Sequence, residues 1–255
     1  MAETGMNIRV LERSLAILAF MAEERRLIGV TEIAEATDLS KSTVHRILST
    51  FREKNVVLRD EGGRYQVGPA VLLWADAYRR SSGLAEIARP FMRRLWEETH
   101  ETVHLFIYEN GKAFYLDKLD SPHPVGMRSR IGAPLSLYST SGGRAILAAL
   151  PEAEMDAYLS RTTLERRTSA TVTDPEALRR ILDDVRRNGW AEENQENEEG
   201  IRCIGAAVRS LDGTPAGAVS ITAPAYRMSD ERARTLCERV RSTAEGISRE
   251  LGYRG

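Results

Sequence analysis

The sequence predicts an α+β protein in which a winged helix-turn-helix precedes a larger part made of hairpins and helices. Residues 40–54 (SKSTVHRILSTFREK) carry apolar side chains at the spacing of one buried helical face. Two short β-prone runs joined by a glycine-containing turn follow that helix. Farther along, Asn110-Gly111 and Asp212-Gly213 mark hairpin turns between β-prone runs, which indicates antiparallel strands.

Composition limits the classes of function that the chain can have. With 36 basic and 37 acidic residues the net charge is near zero, so any nucleic-acid binding must come from a local patch. Cys203 and Cys237 are far apart and lack the spacing of a metal site, which favours a reduced setting. Neither a signal-peptide pattern in MAETGMNIRV nor an apolar run of membrane-spanning length is present. We therefore expect a cytoplasmic protein that does not contact membranes.

The first helices of the predicted helix-turn-helix follow from apolar spacing and caps. A wide apolar stripe over residues 9–21 predicts a helix that is buried against more than one neighbour. The second neighbour could be a partner subunit or the core of the chain itself. Thr31 is expected to cap the next short helix, with Glu32 near its positive end. A brief turn at residues 37–40 then leads into the helix of residues 40–54.

The helix of residues 40–54 has one apolar and one polar face, and Ser40 is a good N-cap. The apolar face consists of Val44, Ile47, Leu48 and Phe51. The polar face carries Ser42, Thr43, His45, Arg46, Ser49 and Thr50. It offers short donors and acceptors with no acid before Glu53, as a helix that reads base edges needs. An ordinary surface helix fits the same residues, so the flanking sequence has to decide.

The sequence after this helix predicts the wing. Two β-prone runs, residues 56–59 and 64–67, flank a turn with two glycines, and Arg59 and Arg64 lie on the two arms, where they could contact phosphates. The acidic tip, residues 60–61, does not favour such contact, and a simple hairpin over a small core fits the same residues. The residues predicted to contact DNA are Ser40, Lys41, Ser42, Thr43, His45, Arg46, Arg59 and Arg64.

The domain boundary is predicted at Ser81-Ser82-Gly83, which is the clearest linker signal in the chain. A helix over residues 70–80 precedes it and could transmit motion or act only as a spacer. We therefore predict a winged helix-turn-helix domain over residues 1–68, a linker helix over 69–83 and a second domain over 84–255.

The second domain is predicted to be an antiparallel sheet with helices packed against it. Its predicted strands are residues 102–108, 112–119, 125–130, 202–210 and 216–223. Its predicted helices are residues 84–100 with Pro90 inside, 142–150, 152–159, 175–188 and 229–251.

Several segments of the second domain could line a ligand-binding site, and each also has a simpler structural interpretation. The Gly/Ser-rich approach of residues 139–144 to a helix start suits a small carboxylate or phosphate, or is only a loop with a cap. Ser220 and Thr222 lie on one face of a strand, where they could bind a ligand or simply be exposed. The acidic run of residues 192–199 is more typical of a solvated face than of a site.

Catalysis has little support in the sequence. Cys203 with His100 or His104 could form a nucleophilic pair, but no local signature accompanies them and a buried structural thiol is the preferred interpretation. The two histidines are four residues apart, yet they fall across a predicted change from helix to strand. We therefore predict no metal site, no cofactor and no catalytic residues.

Three segments identify a resemblance to a known family. The chain resembles the isocitrate lyase regulator (IclR) family of bacterial transcription factors across nearly its whole length. The resemblance is carried by the winged segment from VLERSLAILAFMA to RYQVGPAVLLWADAY, by IGAPLSLYSTSGGRAILAAL and by ENEEGIRCIGAAVRSLDGTPAGAVSITAP. It implies a GAF-like C-terminal domain that binds a small effector, often an organic acid. It also implies assembly as dimers or tetramers on double-stranded DNA.

The resemblance further implies an effector site made of Gly132, Ala133, Glu193, Cys203, Ser220 and Thr222. The sequence departs from the family pattern at Glu193, where Asp is common, at Thr222, where Ser is common, and at Arg144, where Lys is usual. The identity of the effector is therefore not inherited.

The function expected from these observations is that of a ligand-responsive DNA-binding regulator, and specifically a repressor of a catabolic operon that responds to a small organic acid. The alternative is a GAF-like enzyme that uses Cys203 in thiol chemistry. A purely structural dimerisation module is a third hypothesis, but it leaves the polar face of residues 40–54 without a use.

Overall fold

The N-terminal third of the chain forms a small helical core with a two-stranded wing. The computed structural model describes residues 8–127 and 129–255, which form two units that divide between Ser82 and Gly83. The elements of the first unit are α1 (Arg9–Glu24), α2 (Val30–Thr37), α3 (Lys41–Glu53), β1 (Val57–Arg59), β2 (Tyr65–Val67) and α4 (Ala70–Ser82).

Helix α3 forms as its sequence predicts. The Ser40 hydroxyl accepts a hydrogen bond from the Thr43 amide at 3.2 Å, which confirms the N-cap. Val44, Ile47 and Leu48 are buried in the core of this unit, and Phe51 packs against it half-buried. The apolar spacing of the helix therefore fixes which residues are left to face outward.

The predicted cap of α2 is wrong by two positions. Helix α2 begins at Val30, so Gly29, and not Thr31, is the N-cap. The Glu32 carboxylate accepts a hydrogen bond from the Gly29 amide at 3.0 Å. A glutamate that reaches back in this way satisfies an amide that the helix itself leaves unpaired, which makes a hydroxyl cap at Thr31 unnecessary.

The wing is an antiparallel hairpin anchored to the core. Strand β1 pairs with β2, with Leu58 opposite Gln66. Ile28 adds a short bridge on the other side of β2: its amide and carbonyl both bond to Tyr65 at 2.8 Å. The buried ring of Tyr65 then packs in the same core as α3, so the wing and α3 are held to one another.

Two helices of the first unit expose broad apolar surfaces. In α1, Ile17 and Met21 are buried, but Val10, Leu11 and Leu15 are more than half exposed. In α4, no residue is buried. Its exposed large apolar side chains are Leu72, Leu73, Trp74 and Tyr78. The core of this unit therefore covers only one side of the wide stripe predicted for the first helix.

The second unit is built around one six-stranded sheet. Its strands are β3 (Thr102–Glu109), β4 (Lys112–Leu119), β5 (Pro134–Leu135), β6 (Ala191–Asn194), β7 (Ile201–Arg209) and β8 (Pro215–Pro224). Its helices are α5 (Leu84–Thr99), α6 (Ser141–Ala149), α7 (Glu152–Arg161), α8 (Pro175–Asn188) and α9 (Asp230–Glu250). The strand order is β5-β4-β3-β8-β7-β6, and the paired strands are antiparallel.

Each face of this sheet has its own hydrophobic core. Strand alternation places Val103 and Ile221 on the face covered by α5 and α9. It places Phe106 and Ala218 on the face covered by α6 and α8. The α+β class predicted from the hairpins is therefore confirmed.

Glycines bring helix α6 unusually close to the sheet. A Cβ atom on Gly142 would lie 2.4 Å from the Phe106 ring, and one on Gly205 of β7 would lie 2.8 Å from the Gly142 amide nitrogen. Neither position has room for a side chain, because van der Waals contact requires more than 3 Å. The first turn of α6 consequently rests directly on the centre of the sheet.

One strand prediction in the second unit is wrong, and one strand was not predicted. Residues 125–127 and 129–130 form no strand, and Arg128 lies outside the described residues; Pro134 and Leu135 pair with β4 instead. Strand β6 was not predicted, since its acidic residues suggested a solvated face. In β6 the Glu193 side chain is in fact buried, while the neighbouring Glu192 forms an ion pair with Arg202.

No helix in the described part of the chain is long and apolar enough to cross a membrane.

Candidate functional sites

The exposed face of α3 forms a continuous polar surface. Lys41, Ser42, His45 and Arg46 are exposed, and Thr43 is half-buried. At the start of the helix, the Ser40 hydroxyl lies 3.0 Å from that of Ser42 and 2.9 Å from that of Thr43. The first turn contains no acidic residue. These hydroxyls therefore combine with the positive end of the helix dipole and two cationic side chains, a combination that suits a polyanion.

The two arms of the wing present their arginines to solvent. The guanidinium of Arg59 stacks over the Tyr65 ring at 5.6 Å, and Arg64 is exposed. The Asp60 carboxylate accepts a hydrogen bond from the Arg64 amide at 2.7 Å, and the Asp60 amide donates to the Arg64 carbonyl at 2.9 Å. Asp60 therefore closes the hairpin, which explains an acidic residue at a tip where the sequence alone counts it against DNA contact.

A small cavity lined by both polar and aromatic side chains lies in the second unit, between the sheet and the first turn of α6. Four of the six predicted effector residues line it: Glu193, Cys203, Ser220 and Thr222. They come from three neighbouring strands, since β6 pairs with β7 and β7 pairs with β8. The cavity measures about 10 Å³ in this structure, which is room for about one water molecule. A ligand of several atoms would require its walls to move apart.

A chain of close polar contacts crosses the floor of the cavity. The Cys203 sulfur lies 3.2 Å from the Thr222 hydroxyl, which in turn lies 3.2 Å from Nδ1 of His104. Nε2 of His104 lies 2.7 Å from the Ser129 hydroxyl. Burial lowers the pKa of His104 to about 3, so this imidazole is neutral at physiological pH. The chain therefore consists of neutral groups that can both donate and accept hydrogen bonds.

Burial is the largest cause of the raised pKa of two groups at the cavity, Glu193 and Cys203. Burial raises the pKa of Glu193, although its carboxylate accepts hydrogen bonds from the Glu196 amide at 2.6 Å and the Asn197 amide at 3.0 Å. Burial and the neighbouring Glu193 also raise the pKa of Cys203 well above its ordinary value. A thiol held in its neutral form is a poor nucleophile, because the thiolate is the reactive species.

Arg144 holds in place the segment that carries Glu196 and Asn197. Its guanidinium is 1% exposed and forms a bidentate pair with the Glu196 carboxylate. Its Nε also donates to the Tyr138 carbonyl at 2.8 Å. Arg144, one of three positions at which the sequence departs from the family pattern, thus fixes one wall of the cavity. Its partner lies 52 residues away, so no local signal could have indicated this role.

The first turn of α6 supplies another wall. Thr140, Ser141 and Gly142 all line the cavity. The Thr140 hydroxyl accepts a hydrogen bond from the Gly143 amide at 3.1 Å, which makes Thr140 the N-cap. The first amide groups of a helix have no acceptor within the helix and are available to an anion. The helix start predicted after residues 139–141 is present as the start of α6, and it lies beside this cavity.

Aromatic rings form a further wall of the cavity, which was not predicted from the sequence. The rings of Phe106 and Tyr115 lie 4.9 Å apart, and those of His104 and Tyr115 lie 5.1 Å apart, both edge to face. All three rings line the cavity. Alternation along β3 places His104 and Phe106 on the same face, a pattern that the sequence does contain.

Gly132 and Ala133 do not line the cavity in this structure. Instead they bind the backbone of a residue that does: the Gly132 amide donates to the Tyr115 carbonyl at 2.7 Å, and the Tyr115 amide donates to the Ala133 carbonyl at 3.0 Å. Gly132 has a φ of 84°, a backbone conformation that favours glycine. These two residues are thus connected to the cavity through Tyr115.

Both units of the chain match models of the same protein family. Residues 10–61 match the IclR helix-turn-helix domain, and residues 76–249 match the family described as bacterial transcriptional regulator IclR C-terminal. The HTH-type transcriptional regulator BhcR of Paracoccus denitrificans is 36% identical over 248 residues, which cover 97% of this chain and 88% of that protein. The transcriptional repressor IclR of Escherichia coli is 29% identical over 98% of this chain and 91% of its own length.

A solved structure shares the whole architecture. An IclR homologue complexed with 4-hydroxybenzoate, from Microbacterium hydrocarbonoxydans, has a TM-score of 0.80 and 27% sequence identity. The match covers 95% of this chain and 98% of that one. The helix-turn-helix match, the C-terminal match and the extent of these similarities agree with the fold described above. The chain therefore belongs to the IclR family of bacterial transcriptional regulators.

Proposed function

We propose that the protein represses a catabolic operon by binding operator DNA and that a small organic acid controls this binding. The observation that carries the proposal is that one chain combines a polar face on α3, with no acidic residue in its first turn, and a buried cavity in the second unit that presents hydroxyl and carboxyl groups. In our proposal residues 1–68 bind DNA, residues 69–83 link the domains, and the GAF-like domain of residues 84–255 binds the effector.

For DNA contact, we assign base reading to the N-terminal half of α3 and phosphate contact to its flanks. Arg46 and His45 are exposed and long enough to reach base edges in the major groove. Ser40, Lys41, Ser42 and Thr43 surround the helix start, where hydroxyl, amide and ammonium donors suit phosphate oxygens. Arg59 and Arg64 lie on the wing and would add phosphate contacts that weaken with salt.

For the effector, we propose a small carboxylate bound between the start of α6 and the hydroxyl groups of Ser220 and Thr222. The free amide groups of the helix start would hold the carboxylate, and the aromatic wall would contact its apolar body. A carboxylate next to Glu193 would raise the pKa of that residue further, so that the Glu193 carboxyl could donate a hydrogen bond. Gly132 and Ala133 would join the site when the walls separate. The complex of a homologue with 4-hydroxybenzoate supports a small carboxylate as the class of ligand.

Self-association follows from the exposed apolar faces of α1 and α4. Leu11, Leu15, Leu72, Leu73 and Trp74 are each more than half exposed, and grouped exposed apolar side chains are typical of protein–protein contact surfaces. We propose that they bury one another in a dimer or a tetramer. A dimer would place two α3 helices in successive major grooves, about 34 Å apart. Because its target is the bacterial chromosome, we expect the protein to act in the cytoplasm.

The effector would act by changing the separation or orientation of the two α3 helices. A ligand shifts the equilibrium between a DNA-binding and a non-binding arrangement of these helices only as far as it binds one arrangement more tightly than the other. The similarity to the Escherichia coli repressor favours repression over activation. An enzymatic role for Cys203 has no comparable support, because burial disfavours its thiolate.

Fluorescence anisotropy with the DNA upstream of its own gene tests this proposal. We expect salt-sensitive binding that is tighter, by about 10³-fold or more, than binding to a scrambled duplex of the same composition. Equal affinity for the two duplexes would contradict the proposal. A thermal-shift screen of small acids identifies the effector class, since a ligand at about 100 times its Kd stabilises its target by about 2.7 kcal/mol.

A further inference from the structure

A second, larger cavity lies in the C-terminal unit, away from the effector pocket. It is bordered by the C-terminal ends of α6 and α8, by the end of β7 and by α9. Its volume is about 420 Å³, within the range of about 300–1,000 Å³ that small-molecule sites occupy. It shares no lining residue with the effector pocket, which contacts the opposite end of α6.

The floor of this cavity is apolar. It is formed by small buried side chains, namely those of Ala145, Ala148, Ala149, Val185 and Ala244. Small residues leave open space where longer side chains would fill it, so the volume is a consequence of the sequence at these positions. A ligand with a compact apolar body could cover this floor.

The rim of the cavity is strongly cationic. Five arginines contribute to the lining: Arg186, Arg209, Arg241, Arg249 and Arg254. Glu245 is the acidic side chain among the lining residues. Because guanidinium groups are always charged in proteins, this excess of positive charge persists at all physiological pH values.

Two of these arginines are held in fixed positions by neutral partners. Arg186 donates to the carbonyls of Ala148, at 3.0 Å, and Leu150, at 3.1 Å. Arg209 donates to the carbonyls of Ala149, at 3.3 Å, and Gly213, at 2.7 Å. They therefore satisfy the last carbonyl groups of α6, and no carboxylate neutralises them in these contacts.

Other arginines retain donors that no protein group uses. The Nη2 of Arg241 donates to the Glu238 carboxylate at 2.5 Å, but its Nε is buried and has no hydrogen-bond acceptor in the described part of the chain. A carboxylate oxygen of Glu245 lies 3.8 Å from this Nε, beyond hydrogen-bond distance. A Cβ atom on Gly189 would lie 3.0 Å from Cδ of Arg241, so the absence of a side chain at Gly189 makes room for the Arg241 stem. Arg254 is exposed and makes no ion pair or hydrogen bond with the described residues. A buried donor without an acceptor is costly, and an anion in the cavity would remove that cost.

We propose that this cavity is a second ligand site, which binds a small organic anion: a carboxylate, sulfonate or phosphate group on a compact apolar body. The anionic group would bind Arg241 and Arg254, and the apolar body would lie on the alanine floor. The site is separate from the proposed effector pocket and does not depend on its assignment.

Isothermal titration calorimetry on the full-length protein tests the site, with naphthalene-2-sulfonate as the probe. The uncharged naphthalene-2-sulfonamide has the same aromatic body and controls for charge. Arg241→Gln and Arg254→Gln each remove one cation from the site. Arg239→Gln is the matched control, since Arg239 lies on the same helix but outside the cavity, in a surface pair with Glu98.

We expect one saturable sulfonate site per chain, with a Kd that increases about tenfold or more in Arg241→Gln and in Arg254→Gln, as for one lost charge-assisted hydrogen bond. Arg239→Gln should leave the Kd unchanged, and the sulfonamide should bind much more weakly. The proposal is overturned by the absence of saturable binding, by equal affinity for the two probes, or by an equal effect of all three substitutions. The proposal would also be overturned if Ser220→Ala were the only substitution that abolished sulfonate binding, because the probe would then bind in the proposed effector pocket. Arg254 is exposed, so Arg254→Gln decides the question even if Arg241→Gln does not fold.

Discussion

Removing Arg144 should destabilise the C-terminal unit far more than removing an equivalent arginine at the surface. Arg144 is buried in α6, whose first turn lines the cavity that we propose binds the effector, and its partner Glu196 is only 13% exposed. In Arg144→Met the Glu196 carboxylate loses its counter-ion, and the Tyr138 carbonyl loses the hydrogen bond from Nε. Breaking one side of a buried ion pair costs about 3–5 kcal/mol. For a unit of this size that corresponds to a fall in Tm on the order of 10 °C.

Differential scanning calorimetry of the full-length protein measures this effect, with the transition of the C-terminal unit analysed separately. Arg179→Met is the control, because Arg179 pairs with Glu152 and Asp156 at the surface, where such pairs contribute about 0–1 kcal/mol. The double variant Arg144→Met/Glu196→Gln should recover much of the loss, since no uncompensated charge remains. The reasoning is refuted if Arg144→Met costs no more than Arg179→Met, or if the second substitution recovers nothing.

Three further predictions concern the two candidate sites. Arg46→Ala should weaken operator binding by about 1–3 kcal/mol and relax sequence preference at one position, as measured by anisotropy on a set of single-base variants; an equal loss on all sequences would make Arg46 a phosphate contact. Gly142→Ala should lower the Tm of the C-terminal unit, because the new methyl group would lie 2.4 Å from the Phe106 ring, and an unchanged Tm would show that this contact relaxes without cost. Burial raises the pKa of Glu193 in the folded protein, so protonation of this carboxylate favours folding. Wild type should therefore lose stability relative to Glu193→Gln as the pH rises from about 4 to neutrality. Thermal melts in which the two proteins show the same change of Tm with pH would contradict this sign.

The sequence specifies α3 and the wing because the information there is local. Ser40 caps the helix through a residue three positions away, and the apolar face repeats within 13 residues. The wing requires only two short β-prone runs and a turn. Asp60 shows the limit of such reasoning: its contacts with the backbone of Arg64 exist only once the hairpin has closed, so its charge alone did not indicate its structural role in the turn.

The candidate effector cavity depends on contacts between distant residues, and less of it could be predicted. Strand β6 was missed because its acidic residues look solvated, whereas Glu193 is buried opposite Cys203 of β7. The aromatic wall requires the register between β3 and β4, which shifts at Leu105 and Phe106. The positions that sequence alternation could supply were Ser220 and Thr222, and the resemblance to the family supplied Glu193 and Cys203.

The measurement that tests the account most directly is operator affinity with and without an effector, in wild type and in Ser220→Ala. Anisotropy titrations would use the upstream DNA and, first, 4-hydroxybenzoate, followed by the acids that stabilise the protein in the thermal-shift screen. We predict that at least one acid changes the operator Kd of wild type about tenfold or more and that Ser220→Ala, which still binds the operator, needs a much higher acid concentration for the same change. An operator Kd that no stabilising acid changes, or that changes equally in both proteins, would contradict the claim that this pocket controls DNA binding.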